Sequence, residues 1–147
     1  MDNSRFINLK DEITKDGMSI IEMNLDAFRK LKDYKELYIY IIKVVTSAII
    51  KSQLQKTEQY IVKVNFNNVG MKHADTGFAS QLIKNLQEIF PNRLAKCYLY
   101  YPPKIFLMCW SVITPFIDSV TKSKFVVVTK DGELHINDYE DKFTDRI

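Results

Sequence analysis

A chain of 147 residues, 46% hydrophobic and 12% aromatic, is sized for one folded core and is too apolar to be disordered. Its net charge of +3, from 21 basic and 18 acidic side chains, lacks the concentrated basic stripe that marks a nucleic-acid-binding domain. A few clustered cations still suffice for an anionic lipid headgroup.

The N-terminus, Met1-Asp2-Asn3-Ser4-Arg5, is polar, and no signal-peptide apolar core follows it. Residues 6–9 are weakly patterned. Gly17 introduces a strand over residues 18–25. Asp26 is placed to cap a helix that runs, with a break near Asp33, to about Gln55. Within it Leu37, Ile41, Val45, Ala48 and Ile49 recur at helical spacing. Its most apolar part, residues 37–50, is interrupted by Lys43, Thr46 and Ser47. That falls short of the ~20 apolar residues of a membrane-spanning helix, so the segment reads as a buried helix.

Residues 60–66, Tyr-Ile-Val-Lys-Val-Asn-Phe, form a β-rich run. Asp75 or Thr76 begins a helix with Phe78, Leu82, Leu86 and Ile89 on one stripe, stopped by Pro91. A strand over 96–101 closes at Pro102-Pro103, and a helix over 104–114 is broken by Pro115. Residues 125–129 make a third clear strand; Asp131-Gly132 signals a turn, and 134–136 an edge strand. Strands alternating with helices predict an α/β fold, a mostly parallel central sheet flanked by helices, in a single domain over 1–147.

Catalytic chemistry does not assemble. Gly17, Gly70, Gly77 and Gly132 are too dispersed for a Walker loop or a dinucleotide fingerprint. His73 and His135 offer neither a metal triad nor a partner for a nucleophile and read as structural or solvated. Cys97 and Cys109 lie in apolar runs, where thiol pKa rises. They read as small buried hydrophobes rather than a disulfide, which suits a reducing cytosol. Asp131, Glu133, Asp138, Glu140 and Asp141 form an acidic tail, read as solvated and poorly ordered rather than as a metal site. No enzyme activity, cofactor or metal is expected.

From Ile89 the sequence reads Ile-Phe-Pro-Asn-Arg-Leu-Ala-Lys-Cys-Tyr-Leu-Tyr-Tyr-Pro-Pro, then an apolar helix, then Pro-Phe-Ile-Asp-Ser-Val-Thr-Lys-Ser-Lys-Phe. The Phe-Pro-x-Arg-Leu turn, the Lys-x-Tyr strand, the Pro-Phe-Ile-Asp turn and the Thr-x-x-Lys-Phe strand entry resemble the central signature of the CRAL-TRIO lipid-transfer family. The likeness is strong over 89–128, fair from Glu58 and weak upstream.

The resemblance implies a lipid held against the sheet under a mobile helix, here 104–115. In phosphoinositide-binding relatives phosphate meets the Thr and Lys of Thr-x-x-Lys, which map onto Thr121 and Lys124; Arg93 corresponds to a further basic position. A hydroxyl beside an ammonium provides two charge-assisted donors; without the resemblance, Lys122 and Lys124 read as a solvated basic turn. Val62, Val64, Phe66, Tyr98 and Tyr100 are the expected acyl pocket. Phe106, Trp110, Ile113 and Phe116 are the expected lid and membrane contact, the alternative for this helix being plain core.

The expected partner is therefore a phospholipid, a phosphoinositide above others, met at a cytoplasmic membrane surface to which the domain attaches peripherally, with no nucleic acid partner. Asn92 replaces a common Glu, the N-terminal helical lobe reads as absent or vestigial, and Tyr60 and Val62 replace small polar residues, which disfavours phosphatidylcholine. Two acyl chains strain so small a domain, so partial burial, or a homo-oligomer sharing the lipid, is expected. The resemblance also allows a protein-interaction module associated with small-GTPase regulation, with lipid binding lost or secondary.

Overall fold

The computed structural model describes residues 2–144. Asp2 caps the short helix α1 (Asn3–Phe6), its carboxylate accepting the Ser4 N–H at 3.0 Å. The chain then enters β1 (Ile7–Ile13), which hairpins into β2 (Ser19–Asn24). Gly17 makes that turn at φ +84°, and a Cβ there would sit 2.9 Å from the Gln55 Cβ, so two constraints select glycine. The weakly patterned residues 7–9 are thus part of an edge strand, aligned by Ile7 opposite Met23 and Leu9 opposite Ile21.

Helix α2 (Lys35–Leu54) starts well after Asp26, contrary to expectation. Phe28 explains the difference. It is buried against Phe6, Tyr34 and Phe78, with ring centroids 5.3–6.0 Å apart, and these contacts hold residues 28–34 as a loop. β3 (Tyr60–Asn65) leads to α3 (Thr76–Ile89), which Asp75 caps by accepting the Phe78 N–H at 3.0 Å. There follow β4 (Leu94–Tyr100), α4 (Ile105–Ile113), a 3-10 turn (Thr114–Phe116), α5 (Ser119–Lys122), β5 (Phe125–Thr129) and β6 (Gly132–His135).

The acidic tail is also corrected. Asp131 and Glu133 lie in the β5–β6 hairpin, and Asp138, Glu140 and Asp141 lie in α6 (Ile136–Thr144), which forms because Ile136 and Tyr139, one turn apart among the acids, bury themselves against the core that holds Val127 and Trp110.

The six strands lie in sequence order, with β2 through β5 parallel and the two edge strands antiparallel. Each parallel crossover steps one strand further in the same direction, so a single handedness places its helices on one face. Ile21, Val62, Cys97 and Phe125 form one row of that face, and Met23, Val64, Leu99 and Val127 the next. The opposite face carries Glu22, Lys63, Tyr98 and Val126, then Asn24, Asn65, Tyr100 and Val128, none of them in either core cluster.

α2 sits tightly on the sheet. Ser19, Ala48 and Ser52 are fully buried; the Ser19 hydroxyl donates to the Ala48 carbonyl at 2.7 Å, and the Ser19 N–H donates to the Ser52 Oγ at 2.9 Å. By length and composition α2 is apolar enough to cross a membrane. In the fold Leu37, Ile41, Val45, Ala48 and Ile49 form its packed face.

Candidate lipid-binding site

Under α3 and α4 the packing is looser. A cavity of about 300 Å³ lies between these helices and the sheet. Its floor is Val62, Val64, Cys97, Leu99 and Phe125, the side chains that strand alternation aims at the helices. Its roof is Ala79, Leu82, Ile83 and Leu86 from α3, with Phe106, Trp110 and Ile113 from α4. Burial pushes the Cys97 thiol up to about 12 and raises the Tyr60 phenol as well. Both stay uncharged at neutral pH, so this wall suits a hydrocarbon chain and offers no thiolate nucleophile.

Polar side chains gather at one end: Gln87, Asn92, Asp118, Thr121 and Lys124. The Asp118 carboxylate accepts the Thr121 N–H at 2.7 Å, fixing the turn that enters β5. Gln87 spans the Pro-Phe turn, its Nε2 donating to the Phe116 carbonyl at 2.9 Å and its Oε1 accepting the Asp118 N–H at 3.0 Å. Lys122 is held 3.6 Å from Glu140, which also accepts the Trp110 Nε1–H at 2.9 Å. Lys124 makes no ion pair among the described residues.

The structure brings Thr121 and Lys124 together at this mouth with Val62 and Val64 beneath, while Phe66 lies edge-to-face with Phe106 and lines a neighbouring cavity of about 170 Å³. Other placements correct the sequence reading. Tyr98 and Tyr100 occupy the opposite face of the sheet, and Cys97 and Leu99 stand where they were expected. Arg93 does not reach the mouth: Asn92 takes φ +60°, and the Arg93 guanidinium turns to Glu58, 3.4 Å from its carboxylate.

Phe106, Trp110 and Ile113, at one-turn spacing, face inward and are buried, so they are roof rather than outer surface. The outward ridge is Met108, Val112, Phe116 and Val120, respectively 70%, 51%, 47% and 58% exposed. Sequence reasoning missed Gln87 and Asp118. Asp118 was legible as an Asp four residues before a Lys-Ser turn, whereas nothing local marks Gln87. His73 and His135 have structural partners: His73 Nδ1 accepts the Gly70 N–H and His135 Nδ1 the Asn137 N–H.

An apolar cavity between sheet and helices, with polar side chains in its lining at Gln87, Asn92, Asp118, Thr121 and Lys124, marks a lipophilic-ligand-binding α/β domain. The sequence model of the CRAL/TRIO domain matches residues 5–142, and the chain belongs to that family. The fold agrees. The crystal structure of Sfh5 superposes with a TM-score of 0.58 at 18% identity, over 86% of this chain and 48% of that one. This chain therefore spans about half the length of that protein. No curated protein matches the sequence.

Proposed function

We propose that this domain binds a phospholipid, a phosphoinositide above others, and carries or presents it at a membrane surface without catalysing a reaction. The observation that carries the reading is the polarity of the cavity: its walls are apolar, and Lys124 and Thr121 stand with its other polar side chains at one end. An acyl chain gains about 0.8 kcal/mol for each methylene it buries, while a phosphate at the mouth gains an ammonium donor. The Asp118 carboxylate opposes an anion there, but it is engaged by the Thr121 N–H. The exposed ridge of Met108, Val112, Phe116 and Val120 supports docking to a bilayer beside the lid.

Co-sedimentation with liposomes of defined composition tests the assignment. Lys124→Glu is expected to abolish the preference for phosphoinositide-containing vesicles while leaving the unfolding free energy within about 0.5 kcal/mol of the parent, as for most surface changes. Retained preference rejects the headgroup assignment.

A further inference from the structure

The two cavities have Met23, Leu25, Ala79, Leu82, Phe106 and Ile113 in common. They are therefore adjoining chambers parted by side chains, one reaching the Lys124 mouth and the other extending beneath α4 toward Phe66 and His73. Their volumes, about 300 and 170 Å³, limit what can lie inside. A dry cavity of ~150 Å³ takes one benzene, or roughly 25 Å³ per carbon. On that scale the first chamber holds about twelve carbons and the second about seven. One acyl chain of about eighteen carbons fills both end to end, and a second has no place.

The far end is also the wrong end for an anion. Asp75 lines it, and the Tyr34 hydroxyl, donating at 2.6 Å, holds that carboxyl below the usual carboxylate range. The mouth also carries a carboxylate, Asp118, but there Lys124 stands beside it, while the second chamber's lining has no Lys or Arg; phosphate is thus directed to the Lys124 mouth, and the methyl end to the second chamber.

We infer that the ligand is a monoacyl phospholipid, its single chain running from the Lys124 mouth through the gap beside Ala79 into the second chamber. This rests on the lipid-binding reading above and narrows its substrate class. A diacyl lipid drawn into the same site would leave its second chain in water, losing the hydrophobic gain that makes extraction favourable.

Calorimetric titration below the micellar concentration tests the inference with monoacyl phosphatidic acids of 10 to 20 carbons and with monoacyl and diacyl phosphatidylinositol. The expected result is 1:1 binding whose affinity climbs with chain length and levels near 18 carbons, with the diacyl lipid at least tenfold weaker. Ala79→Phe, which plugs the gap, should move the plateau to about 12 carbons; Ile113→Phe plugs it from the other helix should the first variant misfold. Diacyl binding as tight as monoacyl, or a plateau that neither variant moves, overturns the one-chain inference and leaves lipid binding standing. Failure of every lipid to bind overturns both.

Discussion

Two helical layers on the same face of one sheet are packed in opposite ways. Under α2 the contact is sealed by small residues: Ser19, Ala48 and Ser52 are fully buried and joined by short hydrogen bonds. Under α3 and α4 large side chains meet the sheet and leave a cavity of about 300 Å³. At the edge of that layer Gln87 holds the Pro-Phe turn and Trp110 bonds Glu140. Small polar residues lock a helix down; large apolar ones leave it standing off. The first layer is scaffold, and the second is where a guest fits.

The largest expected effect breaks the sealed layer. Ala48→Leu has no room and should cost about 3 kcal/mol in urea unfolding, at the upper end for overpacked cores. Ile83→Phe, projecting into the cavity, should cost less than about 1 kcal/mol. Equal costs would mean the two layers are packed alike.

The next effect is a pH dependence of the cavity floor. The folded Cys97 thiol is raised from 9.0 to about 12, so its contribution is complete below pH 9 and is lost as pH rises toward 12. Above pH 9 the unfolded chain holds fewer protons, and stability should fall by about 1.4 kcal/mol per pH unit for this group. Tyr60 adds to the slope above pH 10. Cys97→Ala should flatten the decline between pH 9 and 10; an unchanged slope in thermal melts would show that the floor is wet.

The smallest effect concerns the edge of the cavity-bearing layer. Gln87→Leu removes both bonds to the Pro-Phe turn and should cost about 1 kcal/mol, mostly as local opening. Hydrogen exchange of the Asp118 amide is expected to speed up several-fold while amides of α2 do not change. Uniform acceleration across the chain would instead mark Gln87 as part of the global core.

Much of this was legible in the sequence and some was not, for identifiable reasons. The central strands and α3 announced themselves because β-branched runs and an Asp cap are local signals. Tyr98 and Tyr100 were assigned to the wrong face because residues 97–101 are apolar or aromatic throughout, so alternation has no contrast. The register shift between Tyr60 and Ile61 is what fixes their direction.

Trp110 was placed outside because α4 is apolar nearly all round; only its distant partner Glu140 shows which side is in. Arg93 is expected at the mouth because the resemblance maps it onto a basic position of the Phe-Pro-x-Arg turn, whereas in the fold Asn92 is left-handed and Arg93 pairs with Glu58. Pairings across the fold, not local pattern, decided each of these cases.

The chain has one tryptophan, Trp110, and it lines the cavity. Fluorescence quenching by phospholipids brominated along the acyl chain therefore reports whether hydrocarbon enters beneath α4. The account predicts saturable, strong quenching by chain-brominated lipid and little by the same bromines placed on the headgroup. Trp110 emission that stays constant while the protein binds those lipids would put the chain outside the cavity and contradict the account.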